Sequence, residues 1–186
     1  LENNMIEFFT ALCKRMNKEP SVKWMDVVNE TITPQGGWFE EKPGVTQWEN
    51  PWEQIGRDEN DVPLYITKAF EISNRYAPNV SQVFNQHGGM EPKMWEKVKE
   101  TIIYLKKQGY RVDGLGWQAH LRSDVPLALN KKQLDYFASL IDWAHQNDLD
   151  FHVTEIDYKI WDSNNDIKAL NDQADAYANI LNVLLS

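Results

Sequence analysis

Short runs of β-branched and aromatic residues alternate with longer stretches whose apolar residues recur at helical spacing, and this alternation constrains the fold more than any other property of the chain. Residues 2–17 place Met5, Phe8, Phe9, Leu12, Cys13 and Met16 at i, i+3, i+4, i+7, i+8 and i+11, one stripe of an α-helix. "VKWMDVV" then reads as a strand. A second helix is expected with Asp61 as its cap and Pro63 in its first turn, running through Leu64, Ile66, Ala69, Phe70, Ile72 and Ser73 to Tyr76 before Pro78 stops it. "VSQVF" is the next strand. Pro92 opens a third helix with Trp95, Val98, Ile102 and Leu105 on one face, and Gly109 closes it. "VDGLGWQAHL" follows as a strand in which Gly114 and Gly116 mark close backbone approach or a bulge. Asn130 and Gln133 form a variant capping box ahead of Leu134, Phe137, Leu140, Ile141 and Ala144. "LDFHVTEIDY" is the fourth strand, and a last helix is expected over residues 168–185.

Strands joined by helical crossovers run parallel. No Gly-rich phosphate fingerprint follows the first strand, so a doubly wound dinucleotide fold loses ground to a (β/α)-barrel. The expected class is therefore α/β, part of a TIM (β/α)8 barrel, in one domain spanning 1–186. Four strands and five helices make only half of such a barrel, and a parallel sheet with naked edges is unstable or prone to aggregate. Two arrangements stay open: the rest of the barrel is another segment of the same protein, or the four strands form an open sheet of their own.

Several partners and cofactors lose support at once. A net charge of −9 argues against nucleic acid. No segment approaches the roughly 20 apolar residues of a membrane span, so no membrane partner is expected. The single Cys13 excludes an internal disulfide and a multi-cysteine zinc site, and its place on an apolar stripe reads as a small buried hydrophobe. Neither a His-x-His pair nor a close acidic cluster appears, so no metal and no cofactor are expected. Of eight tryptophans, Trp38, Trp48 and Trp52 fall in the Gly- and Pro-rich connection over residues 31–61, where they serve either local packing or stacking on sugar rings.

Each strand ends in polar side chains: Asn29-Glu30, Asn85-Gln86-His87, Gln118 and His120, Glu155 and Asp157. Any one of these is ordinary turn chemistry. Four together at the carboxyl ends of barrel strands, where such folds keep their catalytic groups, point to a site. His145, within a helix, and His152, early in a strand, are expected to be structural. Glu30 and Glu155 end two different strands, and a facing carboxylate pair is the equipment for glycosidic cleavage: one protonates the leaving oxygen while the other attacks the anomeric carbon or activates water. Separations of about 5 Å retain configuration and wider ones invert it.

"WMDVVNE", "VDGLGWQAHL" and "HVTEIDY" together resemble the active-site strands of glycoside hydrolase family 10, the retaining endo-β-1,4-xylanases, with the chain reading as the third through seventh helices of that barrel. The resemblance implies Glu30 as general acid/base and Glu155 as nucleophile. It implies Asn29 on the sugar 2-hydroxyl, His120 against the nucleophile with Asp157 orienting it, and Gln118 lining the same pocket. Asn85 matches the family's fifth-strand run, whereas His87 of "NQHG" stands where a phenol would border the leaving-group side. Met25 replaces the family's usual tryptophan, with Trp24 one position earlier. The implied substrate is xylan or a xylo-oligosaccharide, the implied location secreted, cell-surface or periplasmic, and the acid is kept protonated by burial and its neighbour's charge until Glu155 is consumed. Another retaining β-1,4-glycanase, or a non-catalytic carbohydrate-binding barrel, are the alternatives.

Overall fold

A computed structural model describes residues 1–41, 50–125, 127–161 and 167–186. Trp48, one of the three tryptophans named for sugar stacking, lies outside the described residues. Helix α1 (Glu2–Met16) leads into β1 (Trp24–Asn29), and the units α2 (Leu64–Tyr76), β2 (Ser81–Gln86), α3 (Pro92–Lys107) and β3 (Gly114–Trp117) follow. Next come the short β4 (His120–Arg122), α4 (Lys131–Gln146), β5 (Asp150–Val153), the short β6 (Asp157–Lys159) and α5 (Ile167–Leu185).

Strands β1, β2, β3 and β5 form one sheet in that order, and every neighbouring pair is parallel. Parallel strands joined by α2, α3 and α4 as crossovers are the arrangement expected of part of a (β/α)8 barrel. One face of the sheet is dry. Phe70, Phe84, Trp95, Ile102, Leu105, Trp117, Phe137 and Leu140 are fully buried between strands and helices. Cys13 is buried as expected, and burial pushes its thiol up to about 11, leaving it an inert apolar group.

Several local expectations are corrected. The two longest presumed strands are each broken in two. "VDGLGWQAHL" supplies β3 and β4 with a break at Gln118-Ala119, where Ala119 takes φ 61°, and "LDFHVTEIDY" supplies β5 and β6. The pieces β4 and β6 pair with each other as a separate parallel ribbon. Asp61 does not cap α2: Pro63 occupies that position, while Asp61 sits at φ 60° with its carboxylate on Arg57. The side chain that closes this turn is Asp58, whose Oδ1 accepts from the N–H groups of Asn60 and Val62. At α4, Asn130 caps the N–H of Lys132 at 3.0 Å, but Gln133 does not reciprocate and its Oε1 is buried without a partner. Along α1, Met5 and Cys13 are buried and Phe9, Leu12 and Met16 are partly buried, while Phe8 is 70% exposed, so the stripe is uncovered at that one residue.

The connection after β1 has structure of its own. Ile32 and Trp38 form an antiparallel bridge, and residues 51–55 make a 3₁₀ turn capped by Asn50. Trp38 is buried and its indole N–H donates to the Asp61 carbonyl at 2.9 Å, so this tryptophan serves packing.

Candidate active site

The open face of the sheet carries the polar strand ends, and a bulge in β1 decides what they reach. Asp26 pairs with Val83 and Val28 with Phe84, so Asp26 and Val28 oppose consecutive residues and Val27 is the extra residue. Regular alternation would point Asp26 and Asn29 to opposite faces. The bulge lets Val27 and Val28 both turn into the core while Asp26 and Asn29 both reach one amide: Asn85 Nδ2 lies 3.2 Å from Asp26 Oδ2 and 3.0 Å from Asn29 Oδ1.

Asn85 is the hub. Its Nδ2 also lies 3.2 Å from Glu155 Oε1, and its Oδ1 accepts from the Thr154 hydroxyl at 3.0 Å, which fixes the amide's orientation. Space for it is made by Gly116 on β3, where a Cβ would stand 2.5 Å from Asn85 Oδ1. The glycine expected from sequence to allow close approach does so, and the group approaching is this side chain.

Gln118 forms the second bridge. Its Nε2 donates to Asn29 Oδ1 and to Glu30 Oε1, each at 2.9 Å. Asn29 Oδ1 thus accepts from two amides, leaving its Nδ2 hydrogens directed elsewhere. Glu30 itself adopts φ 54°, a left-handed conformation that costs an ordinary side chain energy and concentrates at functional sites. Its N–H is tied to the Asn85 carbonyl at 3.3 Å.

The β4–β6 ribbon completes the arrangement. His120 pairs in register with Asp157; its Nδ1 lies 3.1 Å from Asp157 Oδ1 and its Nε2 3.4 Å from Glu155 Oε2. His87, just beyond β2, has Nδ1 3.2 Å from Gln86 Nε2 and its ring 5.5 Å from that of Phe39. Burial holds the His87 imidazole below its ordinary value, against the pull of Glu30 and Glu91. All eight residues proposed from sequence, Asn29, Glu30, Asn85, His87, Gln118, His120, Glu155 and Asp157, are therefore brought to one place.

Sequence reading missed Asp26 and Thr154. Asp26 lay inside the quoted motif, but without the bulge its parity placed it on the wrong face. Loss of hydration, and then the charge of Glu155, raise the Asp26 carboxyl above its ordinary value, with His152 acting in the opposite direction. His152 packs its ring 5.4 Å from Trp24 on the same face.

Two cavities open beside the site, one at Glu30 and one at His120. One of about 540 Å³ opens beside Asn29 and Glu30, with Phe39, Asn50, Trp52 and Tyr65 in its wall. The other, about 510 Å³, lies on the His120 side, against Gly88, Glu91, Arg122 and Gln133. Trp52, 37% exposed in the first wall, is the described tryptophan of the connection that faces the site.

Comparison with known proteins gives a consistent result. A family model described as "Glycosyl hydrolase family 10" matches residues 1–186. Among curated relatives, "Endo-1,4-beta-xylanase A" of Caldicellulosiruptor saccharolyticus is 32% identical over 158 residues, covering 84% of this chain and 40% of the relative. Among solved structures, native xylanase 10B of Thermotoga maritima superposes with a TM-score of 0.78 at 24% identity, over 98% of this chain and 51% of that one. Xylanase 10B of Thermotoga petrophila, solved with xylobiose, gives 0.76 at 24% identity, over 96% and 48%. The chain spans about half the length, or less, of these proteins.

Proposed function

Because the chain belongs to glycosyl hydrolase family 10, we propose that the protein containing it is a retaining endo-1,4-β-xylanase in which Glu30 and Glu155 act on the two sides of a xylosidic bond. The observation that carries this reading is the continuous hydrogen-bond network joining the two carboxylates: Glu30 to Gln118, Gln118 to Asn29, Asn29 to Asn85, Asn85 to Glu155. Neutral amides holding both carboxylates fix their positions without neutralising either one, which suits a pair that must change protonation and charge during turnover.

In this mechanism Glu155 attacks the anomeric carbon as Glu30 gives its proton to the departing oxygen. Water, deprotonated by Glu30, then releases the sugar from Glu155. Asn29 presents Nδ2 to the 2-hydroxyl of the reacting sugar, because both lone pairs of its Oδ1 are already occupied by Gln118 and Asn85. His120 holds the second oxygen of Glu155 and is aligned by Asp157. Xylobiose bound in a solved relative and the xylanase names of the curated relatives support the choice of substrate.

The test is a hydrolysis panel on the full-length protein. Xylan and xylo-oligosaccharides are cleaved with retained β-configuration, cellulose and mixed-linkage glucan poorly or not at all, and Glu155→Ala loses turnover. An active Glu155→Ala enzyme overturns the assignment.

A further inference from the structure

The amide of Gln86 determines where its neighbour's ring carries a proton. Gln86, buried at the end of β2, grips the main chain of Ile32: its Oε1 accepts from the Ile32 N–H at 3.4 Å and its Nε2 donates to the Ile32 carbonyl at 2.6 Å. Reversing the amide would set oxygen against carbonyl and NH₂ against N–H, so the orientation is fixed. Nε2 also faces His87 Nδ1 at 3.2 Å, with the weaker acceptor Met94 Sδ at 3.5 Å. An amide NH₂ only donates. Nδ1 must accept, so the imidazole is neutral and bears its proton on Nε2. Protonating Nδ1 would oppose two donors and break the contact.

Titratable groups face His87 from three elements: Glu30 from the end of β1, Glu91 ahead of α3, and His120 from β4. Burial outweighs the two carboxylates and holds the imidazole below its ordinary value. Ile32 stands two residues past Glu30, whose left-handed backbone persists only while its surroundings hold it there.

We propose that His87 is a positioning residue for Glu30: as a neutral acceptor it completes the grip of Gln86 on Ile32, and its protonation releases that grip and sets a cation beside Glu30. Release of the grip frees the segment that holds the left-handed backbone of Glu30 and misplaces its carboxyl, so turnover falls on the acid side when His87 titrates. The inference rests on Glu30 being the acid/base group.

Two measurements on the full-length protein test it. With ¹⁵N-labelled histidine, the NMR spectrum near neutral pH shows His87 unprotonated at Nδ1 and protonated at Nε2, and the Ile32 amide signal follows the His87 titration. A proton on Nδ1, or an Ile32 signal indifferent to that titration, overturns the proposal. In kinetics, His87→Asn offers a carbonyl oxygen where Nδ1 stands but does not titrate. Its kcat/KM at about pH 5, relative to its own value at about pH 7.5, is expected to exceed the same ratio in the unmodified enzyme by about tenfold. His87→Phe, which has no acceptor, loses kcat across the range. An acid limb unmoved in His87→Asn overturns the proposal. The NMR readout needs no substrate, so a wrong polysaccharide assignment and a wrong role for His87 fail separately.

Discussion

Gly116 shows how much of the candidate site depends on the absence of one methyl group. A Cβ there would lie 2.5 Å from Asn85 Oδ1 and 3.0 Å from Val83 Cγ1, so Gly116→Ala displaces the hub that joins Asp26, Asn29 and Glu155. The expected outcome is a fall in kcat of about 10²-fold from misplacement of the carboxylates, with a stability loss of about 1–3 kcal/mol, measured by steady-state kinetics and denaturant unfolding. Asp26 gives a pH prediction. Its carboxyl is raised in the folded state, first by lost hydration and then by Glu155, so its contribution to stability is complete below the ordinary carboxylate value and is lost as pH rises through the folded one. Asp26→Asn keeps an acceptor for Asn85 and removes the titration. Its thermal midpoint, measured across the acid range, should fall less than that of the parent as pH rises from about 4 to 7. A parallel dependence in both proteins would show that Asp26 is not the group responsible. The identities of Glu30, Asn29, Gln118, His120 and Glu155 as strand-end groups were legible in the sequence, because polar residues closing four apolar runs stand out against turn chemistry. Asp26 was not legible, because a bulge reverses the parity on which any strand pattern is read.

At the scale of the element, the breaks matter more than the strands. β3 ends at Trp117, the chain turns through Ala119 at φ 61°, and β4 then pairs with β6 to hold His120 opposite Asp157. Ala119 is fully buried and has no polar side chain to offset a left-handed conformation, so Ala119→Gly should stabilise the fold by about 1 kcal/mol. Denaturant unfolding measures it, and an unchanged or lower midpoint would mean that the added freedom of glycine in the unfolded chain cancels the relief. The helices were the easier half of the reading. Their stripes span three or four turns, and the observed α2, α3, α4 and α5 begin and end within a residue or two of the expected positions. Strand limits were harder, since two consecutive short strands separated by only two or three irregular residues look like one long run.

On the scale of the whole molecule, the sheet has two open edges among the described residues, β1 and β5, and α1 and α5 leave Phe8, Leu181 and Leu185 exposed. Unpaired parallel edges and uncovered apolar side chains invite association. The 186 residues on their own are therefore expected to self-associate and to show no hydrolysis of an activated xylobioside, because the carboxylates are held while one side of their pocket stays open; Glu155 is 40% exposed. Sedimentation and a turnover assay check both, and a monodisperse, active fragment would refute this reading of the fold. The sequence by itself determined the α/β class, the parallel order and the two carboxylates, because hydrophobic period and residue chemistry are local properties of the chain. Only the tertiary structure decided which side chains meet: the bulge at Val27, the room left by Gly116, the break at Ala119 and the grip of Gln86 on Ile32 each depend on pairing between strands or loops far apart in sequence. Such pairings are settled by packing across the sheet, which no local pattern records.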